Sequence, residues 1–293
     1  MSAQRPVIGV FDSGFGGLTV LREMVRLVPN AEYLYFGDTA RLPYGTKSAE
    51  TVARYALGAC HFLESQGAEH LVIACNTATA LAMDAITSYA HVPAIGVIDP
   101  GAAAAAALSK TRHVAVIGTE ATIASHAYHR ALEKLKLQAY EKACPLLVPL
   151  VEEGWIDHPV TQQVAEIYLQ DAFLHKDQRS DVLLLGCTHY PLIRPLLRKV
   201  VPSDVAIVDS AESTAYALAK KLGVDPPPAS ASASGATHAS GARAVTAPSA
   251  PDPRPGTPGF RFFVTDSVQK FRRLGAGFLG HPVDNVEHVD LGG

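Results

Sequence analysis

The sequence predicts an α/β fold of two similar lobes, each a mostly parallel sheet flanked by helices, with the active site in the cleft between them. Three observations carry this expectation. Short continuous apolar runs such as Val7–Phe11 and Leu183–Leu185 alternate with amphipathic stretches, as do strands covered on both faces and joined by crossover helices. The same order of elements begins again near His113, without a residue-by-residue repeat. In each half a late apolar run stops at a thiol with small polar neighbours, Ala74-Cys75-Asn76-Thr77-Ala78 in the first and Gly186-Cys187-Thr188-His189 in the second.

In order, Val7–Phe11 is a strand, and the turn Asp12-Ser13-Gly14-Phe15-Gly16-Gly17 leads into a helix whose buried face is Leu18, Leu21, Val25 and Val28, stopped by Pro29. Tyr33–Phe36 is the second strand, followed by the turn-rich loop Gly37–Gly45 and a helix over Ser48–Ser65. Leu71–Ala74 is the third strand, with a helix from Thr77 to Tyr89, and Ala94–Ile98 is the fourth, broken by Asp99-Pro100-Gly101. The second series opens with the strand His113–Ile117 and a helix over Ser125–Lys136. Val148–Val151 reads as its next strand, ending at Glu152-Glu153-Gly154-Trp155. Asp157 and Pro159 then start a helix carrying Val160, Val164, Ile167, Tyr168 and Leu174. The strand Leu183–Leu185, a helix after Pro195, the strand Ala206–Val208 and a helix over Ala211–Leu222 follow. Residues 225–259 are rich in Pro, Ala, Ser and Gly with almost no large apolar side chains, the composition of a disordered insertion. A strand over Phe260–Thr265 and a helix over Ser267–Leu279 close the pattern, and a lone βα unit must pack back on the first lobe. The expected lobes are therefore residues 1–99 plus 209–293, and residues 100–208.

Composition narrows the function. A chain of 293 residues with 48% hydrophobic content can bury a sizeable core, and a net charge of −3 with interspersed signs offers no basic stripe for nucleic acid and no polybasic arm for membranes. No window is long and apolar enough for a membrane span, and Met1–Pro6 is too short for a signal-peptide core, so a cytoplasmic location is expected. Four cysteines, no two at close spacing, suit a reducing compartment better than a disulfide or zinc framework.

Every unusual polar cluster directly follows a predicted strand: Asp12-Ser13, Cys75-Asn76-Thr77, Gly118-Thr119, Glu152 and Cys187-Thr188-His189. Ligands of open α/β sheets bind at those carboxyl ends. If the lobes face each other, one thiol stands on each side of a small substrate. Two thiols flanking one carbon suit proton removal from one face and delivery to the other, which inverts a stereocentre. A free thiol titrates near about 8.5, so a modest environmental shift lets one be thiolate while the other stays protonated. Asp12 can hold a proton near Cys75; His189 and Glu152 can do so near Cys187, with His189 on the thiol's face if the backbone is extended. Asn76, Thr77, Thr188 and helix-start N–H groups offer donors for carboxylates.

The segments Asp12–Val20, Pro43-Tyr44-Gly45, Ala74–Ala78 and Gly186–Pro191 resemble, in order, those of the cofactor-independent aspartate/glutamate racemases, and within them the glutamate racemases. The resemblance implies interconversion of L- and D-glutamate, supplying D-glutamate for peptidoglycan, by a homodimer without cofactor or metal. It implies Cys75 and Cys187 as paired bases, the first acting on the D-isomer and the second on the L-isomer. Carried over by motif, Asp12, Ser13, Tyr44, Gly45, Asn76, Thr77, Thr119, Thr188 and His189 bind substrate, and Asp12, Glu152 and His189 assist proton transfer. The insertion at 225–259 departs from the family pattern but falls away from the cleft motifs.

Other readings are weaker. A cysteine ending an apolar strand is more often core than catalytic, and Cys60 and Cys144, lacking polar company, are expected to be structural. Asp12 and Thr119 can be plain helix caps, and Tyr44-Gly45 an ordinary turn. The turn Gly14–Gly17 evokes dinucleotide binding, with Asp38 as the ribose acid, but Thr19 replaces the third glycine and Asp12 would repel a pyrophosphate. Lys47 lies in no motif suited to a Schiff base, and His189 has no second ligand at metal spacing. An aspartate racemase, or an amino-acid-binding protein on the same scaffold, remain the alternatives; two retained thiols exceed what simple carboxylate recognition requires.

Overall fold

The strands that alternate with helices assemble as two separate parallel sheets. The computed structural model describes residues 5–173, 179–224 and 258–292; the expected insertion therefore lies outside the described residues up to 257, as does Leu174. The elements are β1 (Val7–Asp12), α1 (Leu18–Leu27), β2 (Glu32–Gly37), α2 (Ala49–Ser65), β3 (His70–Ile73), α3 (Asn76–Tyr89), β4 (Ala94–Gly96), α4 (Ile98–Leu108), β5 (His113–Gly118), α5 (Glu120–Ala124), α6 (Ala127–Lys134), β6 (Gln138–Ala143), α7 (Leu147–Glu152), α8 (Pro159–Leu169), β7 (Val182–Gly186), α9 (Arg194–Val200), β8 (Ala206–Asp209), α10 (Ser210–Lys221), β9 (Gly259–Val264), α11 (Val268–Leu279) and β10 (Val286–His288), with 3₁₀ turns at Tyr44–Thr46 and Tyr190–Ile193.

The first sheet runs β10-β9-β2-β1-β3-β4 and the second β6-β5-β7-β8, with every pairing parallel. The chain leaves the first sheet after β4 and returns through α10, whose Asp209 cap accepts from Ala211 and Glu212 N–H at 3.1 Å each. α10 packs on α1 on one side and α4 on the other. Leu18, Leu21 and Met24 of α1 thus share one apolar core with Leu183 and Leu185 of β7 and Leu218 of α10, which welds the lobes along one flank. β9 adds to β2, so the C-terminal βα unit does rejoin the first lobe.

Several local expectations are corrected. Val148–Val151 is not a strand: it lies within α7, where Pro149 occupies the first turn and needs no N–H donor. The strand paired with β5 at one edge of the second sheet is instead β6, a polar stretch only partly buried. Asp99-Pro100-Gly101 does not break the chain but forms the first turn of α4, which ends β4 at Gly96. The helix expected over Ser125–Lys136 is two, divided where His126 takes a left-handed φ of 53°. His158, not Asp157, caps α8, accepting from Val160 N–H at 3.2 Å. The third-strand helix starts at Asn76, and β10 was unanticipated.

Candidate active site

Both sheets reverse their strand order at an inner pair. In the first, β1 lies between β2 and β3; in the second, β5 lies between β6 and β7. Crevices open at such points, outside the carboxyl ends of the strands. Pairing of Phe11 with Ile73 sets Asp12-Ser13 beside Ala74-Cys75, and pairing of Gly118 with Gly186 sets Thr119 beside Cys187. Each lobe therefore presents one thiol and one polar group at its switch point.

In the first lobe Cys75 is the N-cap of α3, its Sγ accepting from Ala78 N–H at 3.4 Å and donating to Ser13 Oγ at 3.5 Å. Burial pushes this thiol up to about 12, and the charge of Asp12 adds to the effect. Asp12 is itself buried. Its Oδ2 accepts from Gly14 N–H at 2.9 Å, while Oδ1 has no hydrogen-bond partner within normal distance among the described residues. Burial raises the Asp12 pKa against the lowering influence of Gly14 and of the His189 charge.

In the second lobe three groups form a chain. Cys187 Sγ lies 3.9 Å from His189 Nδ1, and His189 Nε2 lies 3.1 Å from Glu152 Oε1. Burial disfavours an imidazolium here, yet hydrogen bonds with Cys187 and Glu152 outweigh it and lift His189 to about 10. Glu152 is also buried enough to be pushed up, but His189 and the more distant Lys270 hold it below its ordinary value. The route to this chain differs from the expectation: His189 has helical backbone, φ −80° and ψ −32°, rather than extended, and a turn instead of a strand face returns its ring to the thiol. Glu152 arrives from the end of α7 rather than from a strand end.

The two halves touch. A Cβ on Gly16 would stand 2.1 Å from Thr188 Oγ1 and 2.7 Å from His189 Nδ1, and one on Gly45 would stand 2.8 Å from Thr119 Cβ. Only hydrogen fits at either contact. Thr19 Oγ1 donates to Thr188 O at 3.0 Å across the lobes. Thr77 Oγ1 meets Thr119 Oγ1 at 2.9 Å and Thr122 Oγ1 at 3.0 Å, closing a three-hydroxyl cluster. A charge at Cys187 acts on Cys75, and one at Glu152 acts on Asp12, so both lobes act on one electrostatic site. Cys75 and Cys187 are each only 5% exposed, so this is a closed arrangement.

Asp12, Ser13, Cys75, Thr77, Thr119, Glu152, Cys187, Thr188 and His189 thus converge. Tyr44 and Asn76 use their side chains elsewhere. Tyr44 donates its hydroxyl to Asp38 Oδ2. Asn76 accepts from Tyr128 at 2.6 Å and donates to Ser210 at 3.5 Å. Their positions support the site; what remains for a ligand at Asn76 is its backbone N–H at the start of α3. Thr122, Tyr128, Ser210 and Asp38 were not anticipated as supports. Thr122 stands three residues beyond Thr119, a spacing that could have suggested it, but nothing in the sequence joins Tyr128 to Asn76. Cys60 and Cys144 make no side-chain hydrogen bond to these groups; burial raises each to about 12, and the nearby Cys187 adds to the effect at Cys144.

Known proteins share this fold. The profile of the Asp/Glu/hydantoin racemases matches residues 8–218. A glutamate racemase of Koribacter versatilis is 86% identical over 293 residues, covering 100% of both chains. A crystal structure of a Bacillus anthracis glutamate racemase isoform superposes with a TM-score of 0.82 at 35% identity, covering 98% of each chain. Another, from Francisella tularensis in complex with D-glutamate, gives 0.79 at 34% identity and 98% of each chain. With two parallel sheets, a thiol at each switch point and a family match across most of its length, the chain belongs to the Asp/Glu/hydantoin racemase family.

Proposed function

We propose that this protein is a glutamate racemase that moves the Cα proton between Cys75 and Cys187. The observation that carries the reading is the placement of one buried thiol from each lobe at a single closed electrostatic site. The N–H groups of Asn76 and Thr77 begin α3 without intrahelical partners, which suits a substrate carboxylate, and the Thr77, Thr119 and Thr188 hydroxyls add donors. The unpartnered Asp12 Oδ1 suits the substrate ammonium. Ser13, Tyr44 and Gly45 shape the wall, the last two without hydroxyl contact.

Burial and the charge of Asp12 hold the proton on Cys75, while Cys187 lies beside a histidine that favours its cation. This state is ready for L-glutamate: Cys187 takes the Cα proton from one face and Cys75 gives its own to the other. The reverse run needs Cys75 as thiolate. A substrate ammonium beside Asp12 would offset the negative charge that holds its proton on. Each passage leaves the thiols with exchanged protons, and His189 with Glu152 holds or returns the one at Cys187. We take residues 1–99 plus 209–293 and residues 100–208 as the two moving halves. The role is supply of D-glutamate for peptidoglycan.

We also propose a homodimer in the cytoplasm. Leu146, Trp155, Ile156, Val160 and Ile167 are large apolar side chains exposed on or beside α7 and α8, which supports self-association. Among the described residues no helix is long and apolar enough to cross a membrane, and all four cysteines are free.

Purified, reduced protein incubated with L- or D-glutamate in deuterated water tests the reading. Circular dichroism should decay to zero from either isomer as the Cα proton is replaced by deuterium. An unchanged signal would remove the enzyme reading, and inversion of aspartate alone would select an aspartate racemase. Cys75→Ala and Cys187→Ala should each lower racemisation by at least about 10³-fold.

A further inference from the structure

α11 belongs to the first lobe, yet it reaches the acid–base pair of the second. Near its end, Phe278 sets its ring edge-on to His189 with centroids 5.1 Å apart. Near its start, Lys270 shares a cavity of about 210 Å³ with Glu152, Glu153, Gly154, Arg273 and Leu274. Lys270 Nζ stands 5.4 Å from the centre of the Phe15 ring, and Phe15 packs against Phe271 of the same helix at 5.9 Å. A cation is attracted to the face of such a ring. The ammonium is therefore stationed between the turn that follows Asp12 and the carboxylate that holds His189.

We propose that Lys270 is a positioning residue for the second base: from the first lobe it brings a positive charge to Glu152 as the lobes close, and so holds the Glu152–His189 pair in the arrangement that serves Cys187. This rests on the reading of Cys187 as a base. The groups facing Glu152 are His189 at 3.1 Å, the carboxylate of Asp12 across the site, and Glu153, Arg273 and Lys270 around the cavity. Burial and the two neighbouring carboxylates favour a proton on Glu152; His189 and the cations oppose it. An anionic Glu152 accepts from His189 Nε2 and keeps Nδ1 turned to the thiol. A protonated one gives up that hold. Because α11 travels with the first lobe, the charge reaches Glu152 only in the closed form, which ties readiness of Cys187 to closure over substrate.

The test compares wild type, Lys270→Met and Lys270→Arg. L- and D-glutamate have equal energy, so kcat/KM must change by the same factor in both directions, and the pH profile is the informative readout. In Lys270→Met the acid limb of kcat/KM should move up by about 0.5 to 1 pH unit, the scale of one partly solvated charge. Lys270→Arg should follow wild type, and all three should melt together, since residue 270 is exposed. An acid limb for Lys270→Met that coincides with wild type, or a displacement of Lys270→Arg as large as that of Lys270→Met, would overturn the proposal. A wild-type protein that racemises neither isomer, or an active Cys187→Ala variant, would overturn the two-base reading itself.

Discussion

His189 shows how a single side chain stores both chemistry and stability. Its ring is buried, which alone would keep it neutral, yet its two bonded neighbours raise its pKa from 6.5 to about 10. A folded-state value above the unfolded one contributes stability that is complete below about pH 6.5 and is lost as pH rises toward 10. The buried thiols Cys60, Cys75 and Cys144, each pushed up to about 12, lose their stabilising contribution only as pH rises above their ordinary value of 9.0. Between pH 6.5 and 8.5 these thiols are silent, and the difference between wild type and His189→Asn reports the histidine. Between those limits the wild-type melting temperature should fall by roughly 2–4 °C, and that of His189→Asn should stay nearly level. Parallel curves would remove the His189 ion pair from the stability account. The same residue marks what the sequence made legible. Cys187 and His189 stood out as a thiol and an imidazole two positions apart, but their shared face was inferred from extended backbone. The chain turns instead, and only the turn aims Nδ1 at the sulfur.

At the scale of elements, the turn between β1 and α1 is built to lie against the loop after β7. Gly16 makes that contact without a left-handed φ, so its need is for space. An alanine Cβ would meet both Thr188 Oγ1 and the His189 ring, and rotation of the threonine would still leave the ring. Gly16→Ala should lower kcat/KM by about 10²-fold, since a displacement near 1 Å at a positioned group costs that much. The control is Gly58 in α2, whose added Cβ meets only Leu291 at 4.0 Å; Gly58→Ala should leave activity unchanged and stabilise by about 0.5–1 kcal/mol. Equal activity of the two variants would show that this turn does not govern the site. Elements with strong apolar runs, β1, β2, β3, β5 and β7, were legible because both faces are covered. β6 and β10 were not, because edge strands expose polar residues and carry little periodic signal. α7 was misread because a four-residue apolar run fits a buried strand and a buried helical turn equally well.

For the whole molecule, the organising feature is that two separately built parallel sheets meet at one site. The pattern predicted their existence, but no residue announces how α10 and α1 share a core or how far α11 reaches, since these depend on tertiary packing between distant segments. Packing of α10 on α1 joins the lobes along one flank and leaves the rest of the seam as the edge expected to open. Closed, Cys75 and Cys187 are as inaccessible as many core residues, so substrate must enter an opened form. Alkylation by iodoacetamide, followed residue by residue by mass spectrometry, separates opening from unfolding. Cys60 and Cys144 are 0% exposed, Cys60 within α2 and Cys144 bonded to Lys142 O, and they serve as the reference for unfolding. Opening of the cleft should uncover Cys75 and Cys187 first. In native protein the latter pair should react at least about tenfold faster than the former, and saturating D- or L-glutamate should slow both members together by shifting the population toward the closed form. If all four thiols reacted at one rate, global unfolding would be the only route to them. Protection of one active-site thiol without the other would mean that the ligand covers a single face, and a proton could not then be passed between lobes through one Cα.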